Sequence, residues 1–179
     1  MQIRSKIPTS TQTAQVFAVI SMAIYGWTTY RFLQVLPSWL YYLHFGEILS
    51  NYAYTAVIDF LEALIFIGAI LLINLLLPRA LFFDKFVARG SLLALLGAGY
   101  LIYLALSVGA SKAFRFPEAL FLWSPAVFLA LAVAAVLLPR WEPVRRAMEE
   151  LADRAMIFLY VLLPLTALGA AVLVFNLVF

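Results

Sequence analysis

The chain has 179 residues, 66% hydrophobic and 12% charged, with a mean hydropathy of +1.03. Soluble domains run nearer half apolar and a quarter charged, and 12 basic with 9 acidic side chains cannot cover the surface of a soluble fold this size. A soluble globular enzyme and a disordered chain are both excluded, the latter because it requires low hydrophobicity. The expected class is an all-α polytopic integral membrane helical bundle, in a cytoplasmic-type membrane of a prokaryote.

Cysteine is absent and histidine occurs once, at His44. That leaves no disulfide framework, no thiolate nucleophile and no zinc-cysteine site. Bis-histidine haem ligation is excluded as well, and the sequence points to no particular cofactor. The formal charge of +3 arises from basic residues that punctuate apolar runs. It therefore points to membrane orientation, with the bilayer rather than nucleic acid as the partner.

A helix needs about 20 apolar residues to cross the roughly 30 Å hydrocarbon core. Five stretches qualify: 14–36, 56–77, 91–111, 119–138 and 155–179. The tail, 1–13, holds Arg4 and Lys6 and a polar run from Thr9 to Thr13, which favours a retained first span over a cleaved leader. That first span is the least apolar, with Gln15, Thr28, Thr29, Arg31 and Gln34.

Segment 37–55 reads as an outer interfacial aromatic helix or re-entrant stretch. It bears Trp39, Tyr41, Tyr42, Phe45, Tyr52 and Tyr54, whose rings with polar edges settle at the headgroup boundary. His44 and Glu47 sit one helical turn apart within it. Inside the second span, Asp59 and Glu62 are three residues apart and share a helix face. An acid in hydrocarbon is costly when charged, so both are expected to face other helices or water. His44, Glu47, Asp59, Glu62 and Arg31 thus form a candidate polar site in the outer half. Its alternative readings are an internal salt bridge from Asp59 or Glu62 to Arg31, an ion or proton site, a contact with a partner's basic residue, and an N/O metal site.

Small residues recur every four positions in two spans. Gly90, Ala94 and Ala98 line one face of the third, and Ala126, Ala130 and Ala134 line one face of the fourth. Such ridges let membrane helices approach closely, either within the chain or at an oligomer seam. Segment 143–154 is a candidate cytoplasmic amphipathic helix. Pro143 suits its first turn, and Arg146/Glu150 and Glu150/Arg154 have pairing spacing. Leu76-Leu77-Pro78-Arg79 recurs as Leu137-Leu138-Pro139-Arg140. Either the chain holds a duplicated hairpin, or two helices end at the same kind of proline stop with an arginine anchor.

Orientation follows from the basic residues. With five crossings, Arg4, Lys6, Arg79, Lys85, Arg89, Arg140, Arg145, Arg146 and Arg154 fall on one side, and Arg31, Lys112 and Arg115 on the other. This bias places the N-terminus in the cytoplasm and the C-terminus outside. No Gly-rich phosphate loop, nucleophile elbow or HExxH motif occurs. The residues match no family motif specifically enough for a site to be transferred. The leading expectation is a non-catalytic subunit or assembly partner of a membrane complex, with another membrane protein or a second copy as partner. The alternatives are a small transporter or channel using Asp59 and Glu62, and an intramembrane enzyme using His44.

Overall fold

The computed structural model describes residues 8–76, 78, 83–110 and 118–178. Every element in these residues is helical: α1 (Ser10–Trp39), α2 (Phe45–Leu76), α3 (Phe86–Ala110), α4 (Glu118–Leu137) and α5 (Glu142–Val178). Single 3₁₀ turns at Phe83–Lys85 and Leu138–Arg140 lead into α3 and out of α4. Among the described residues, five helices are long and apolar enough to cross a membrane.

The helices begin and end where local chemistry dictates. Thr9 and Gln12 form a reciprocal capping box at the start of α1, each side chain meeting the other's backbone N–H. Pro37 falls within the last turns of α1, Pro125 in α4 and Pro164 in α5, as membrane helices tolerate. At about 1.5 Å per residue, the 37 residues of α5 greatly exceed a hydrocarbon core. Its first turns are exposed and laced by pairs, Arg145 to Glu142 at 2.6 Å, Arg146 to Glu142 at 2.9 Å, and Arg154 to Glu150. Segment 143–154 is therefore a polar extension of the fifth long helix.

Two interhelical bonds orient the bundle. The Gln15 amide donates to Asp153 Oδ1 at 2.5 Å, and Lys85 Nζ donates to the Pro139 carbonyl at 3.2 Å. The starts of α1, α3 and α5 and the end of α4 thus share one end, called here the basic end. The turn between α1 and α2, with Tyr41 and Tyr42, lies at the other, aromatic end. Helices α1, α3 and α5 run from basic to aromatic end, and α2 and α4 return. Arg4, Lys6, Arg79, Lys112 and Arg115, on which the charge count partly rests, lie outside the described residues, as do Leu77 of the first Leu-Leu-Pro-Arg copy and Phe179.

The least apolar helix is the central one. Residues Val16, Ala18, Val19, Ile20 and Ser21 of α1 are all buried. At about 100° per residue these five positions point in every direction around the helix, so α1 is surrounded. It packs against α2, α3 and α5, while α4 leans chiefly on α3. The physical reason is direct. Hydroxyls and amides are costly against lipid, so the helix that has most of them belongs where other helices satisfy them. Two apolar clusters fill the basic half. One joins Val16 and Ile20 to Ile67, Ile70, Phe86 and Ala94, and the other joins Ala18 and Val19 to Ala152, Ala155 and Leu159.

The two small-residue ridges have different surroundings. A Cβ on Gly90 would meet Val16 at 3.0 Å, and Ala94 is buried in the first cluster, so this stretch of α3 lets α1 come close. Ala126 and Ala130 are exposed on α4, and Ala134 is half-buried. The aromatic segment 37–55 forms no separate interfacial helix and no re-entrant loop. It is the tip of the α1–α2 hairpin: the last residues of α1, a short turn, and the first three turns of α2. Helical hydrogen bonding extends through the aromatic residues on both sides of the turn and leaves no room for a third element.

Candidate functional site

The five residues grouped as a polar site occupy four places. His44 and Glu47 are exposed at the entry to α2, where the His44 backbone N–H donates to Glu47 Oε2 at 2.8 Å. This is a helix-start arrangement, with the carboxylate near unsatisfied amides. Arg31 is exposed on α1. Its Nη1 donates to Gln34 Oε1 at 3.3 Å, and its guanidinium lies 5.9 Å from the centroid of the Trp27 ring. Gln34 in turn donates to Tyr30 Oη at 2.7 Å. Arg31 therefore pairs with neither Asp59 nor Glu62, because an amide and an indole on its own helix already engage it. Among the described residues no three His, Asp or Glu side chains converge as a metal site would require.

Asp59 and Glu62 diverge. Asp59 is 4% exposed and turned into the bundle, where Thr28 Oγ1 donates to its Oδ1 at 2.9 Å. Glu62, nearly one turn on, is exposed at a groove between helices. The 300° step that separates i and i+3 suffices to put one carboxylate inside and the other at the edge.

Three further bonds make the interior of the aromatic half a polar seam among α1, α2 and α5. Tyr25 Oη donates to the Ala56 carbonyl at 2.8 Å and lies 2.5 Å from Thr166 Oγ1. Thr166 Oγ1 also reaches the Leu162 carbonyl of its own helix at 2.8 Å. Two hydroxyl protons thus serve three short contacts. Nearer the aromatic end, Thr29 Oγ1 and Tyr52 Oη are 2.9 Å apart, and the Tyr52 ring meets Phe32 edge-on at 4.7 Å. At the same level Gly169 brings α5 against α2, since a Cβ there would lie 2.7 Å from the Ala53 carbonyl oxygen.

Tyr25, Thr166 and Gly169 were not singled out from the sequence. Tyrosines, threonines and glycines are common in apolar helices, and only the pairing of α1 with α5 reveals which ones meet. Buried Arg89 near the basic end of α3 likewise read as a loop charge, although it is 4% exposed.

The groove beside Glu62 has a volume of about 500 Å³. Its floor is α1, at Ala23, Trp27 and Thr28; α2 supplies Glu62, Ile65 and Ala69, and α3 supplies Ala98 and Ala105. α2 and α3 touch at few points, one being the Phe66 ring against Gly97, so the groove runs between them. Alanines on all three sides keep it open. Glu62 is its one charged lining residue, and among the described residues it makes no hydrogen bond or ion pair. A second, shallow concavity surrounds His44, Glu47 and Ser50 at the aromatic end.

Comparison of the chain with protein-family models, with curated proteins and with solved structures returned no match, so its function is argued from its own residues.

Proposed function

We propose that the chain is a non-catalytic integral membrane subunit that assembles with another membrane protein. One observation supports this reading above others: Glu62 is a carboxylate on an apolar groove, about 21 Å along α2 from Leu76, without a partner among the described residues. Acids at such depth pair with a basic group or face an aqueous path. A subunit leaves such a group open for its complex to complete. The exposed Ala126 and Ala130 of α4 fit the same reading, as small residues against which another helix packs closely.

The test is the mass of the particle that holds the chain when native membranes are extracted directly into polymer-bounded lipid discs. A discrete complex with a second protein in fixed ratio is expected. A particle holding only this 20.0 kDa chain, alone or as a homo-oligomer, would contradict the proposal.

A second reading, a small transporter or channel with an acidic site, draws on Asp59. A buried carboxylate bonded to Thr28, nearly one turn from an exposed one, is a pair along which a cation or proton could pass. It predicts that flux into proteoliposomes falls in Asp59→Asn and Glu62→Gln variants, and full flux in the double variant removes it.

A further inference from the structure

We propose that the groove formed by α1, α2 and α3 seats a transmembrane helix of a different chain, one that brings a lysine or arginine side chain to Glu62. This rests on the subunit reading and names the chemistry of the partner.

Three features carry the assignment. The first is charge. Glu62 is the only charged residue in the groove and has no hydrogen bond or ion pair among the described residues. The basic group nearest to it in sequence on the facing part of α1, Arg31, is engaged by Gln34 and the Trp27 ring. A carboxylate at this depth is stabilised by a cation supplied from outside the chain. The second is shape. The lining residues recur over two helical turns on each of α2 and α3, from Glu62 to Ala69 and from Ala98 to Ala105. That is about 10 Å parallel to the helix axes, the footprint of one face of a packed helix. The alanine walls permit the close backbone approach on which membrane helix association depends. The third is the rim. Ile65 is 72% exposed and Leu61 and Leu101 are 53% and 45% exposed, so apolar side chains continue outward from the groove for a helix to cover.

A second copy of the same chain fits poorly. The described basic residues of its long helices are Arg31, engaged by Gln34 and the Trp27 ring, Arg89, buried near the basic end, and Arg145, Arg146 and Arg154 of α5, paired with Glu142 and Glu150. Each is thus already engaged or lies toward the basic end, away from the level of Glu62. The occupant is therefore a different polypeptide, with a single basic residue within an apolar helix.

The chain has no cysteine, so one can be placed at will. Ile65→Cys, at the groove rim, and Tyr160→Cys, 79% exposed on α5, are reconstituted separately in phosphatidylcholine vesicles. The probe is a synthetic leucine-alanine transmembrane helix with a central lysine and an adjacent cysteine, alongside identical helices bearing leucine or glutamate instead. Disulfide yield with the lysine helix should be at least tenfold higher at position 65 than at 160, and at least tenfold higher than with the leucine helix. Glu62→Gln should abolish that preference, and Glu62→Lys should transfer it to the glutamate helix. Equal yields from lysine and leucine helices, or a lysine preference that survives Glu62→Gln, would overturn the proposal. So would Glu62-dependent binding of dodecylammonium by a chain that fails to capture the lysine helix, since the occupant would then be a small amine. A native complex whose composition and strength are unchanged by Glu62→Gln would overturn the groove assignment and leave the subunit reading standing.

Discussion

Thr28 and Asp59 are joined by a 2.9 Å hydrogen bond that crosses from α1 to α2, with the aspartate almost fully enclosed. The bond explains how an acid is accommodated inside an apolar bundle: a hydroxyl of the central helix donates to it. Removing the donor should therefore cost more than neutralising the acceptor. Thr28→Val should lower stability by about 1 kcal/mol, within the range of interhelical hydrogen bonds in membranes. Asp59→Asn keeps an oxygen for Thr28 and should stay within about 0.5 kcal/mol of the parent. Thermal unfolding followed by circular dichroism in a mild detergent checks both, and a neutral Thr28→Val would show that the bond contributes nothing.

The Tyr25–Thr166 contact predicts an asymmetry of the same kind. Without the tyrosine hydroxyl, Thr166 still bonds the Leu162 carbonyl of its own helix, but α1 loses one contact to α2, at the Ala56 carbonyl, and one to α5, at Thr166. Without the threonine hydroxyl, Tyr25 still donates to Ala56. Tyr25→Phe should thus destabilise by about 1–2 kcal/mol, and Thr166→Val by less. The reverse order in the same unfolding experiment would contradict this account of the seam.

Gly169 tests the approach of α5 to α2. An alanine there would set its Cβ 2.7 Å from a backbone oxygen of Ala53, which cannot swing aside as a side chain can. Gly169→Ala should cost about 1–3 kcal/mol by forcing the helices apart. Gly68→Ala is the matched control, with nothing within 4 Å of the added carbon. It should be neutral or slightly stabilising through helix propensity. Similar losses at both positions would mean that helix spacing is not the cause.

Topology is tested by labelling. Single cysteines at Ser38, Phe83, Lys112 and Glu149 should react with an impermeant maleimide in intact cells only at the first and third positions. The warrant is the distribution of basic residues over short loops. Labelling at Phe83 or Glu149 would invert the orientation. Protection of Ser38 with Lys112 still labelled would mean that the first segment does not cross.

Much of the fold was legible because the bilayer imposes a length. Continuous apolar runs of about 20 residues mark spans without any knowledge of packing, and each expected span overlaps one of the five helices. The ends were less legible. The expected third span starts at residue 91, whereas α3 starts at Phe86, because Arg89 and Lys85 look like loop residues until the bundle supplies their surroundings. The aromatic tip read as a separate element because interfacial rings signal depth, not backbone direction. The polar residues stood out one by one, but their arrangement did not. Asp59 and Glu62 stood out as acids in hydrocarbon, but which of them turns inward depends on where α1 lies. The central place of α1 follows from tertiary partners: a low hydropathy marks a weak span when the neighbours that satisfy its hydroxyls are unknown.

The central claim is that Glu62 holds this chain to another membrane protein, and the most direct measurement is the strength of the native complex in lipid discs with that one residue changed. Wild type, Glu62→Asp and Glu62→Gln are compared by titrating the disc-embedded chain against its partner. Glu62→Asp should retain association and Glu62→Gln should weaken it at least tenfold, with the helical content of all three chains alike. A Glu62→Gln chain that binds as tightly as wild type would contradict the claim.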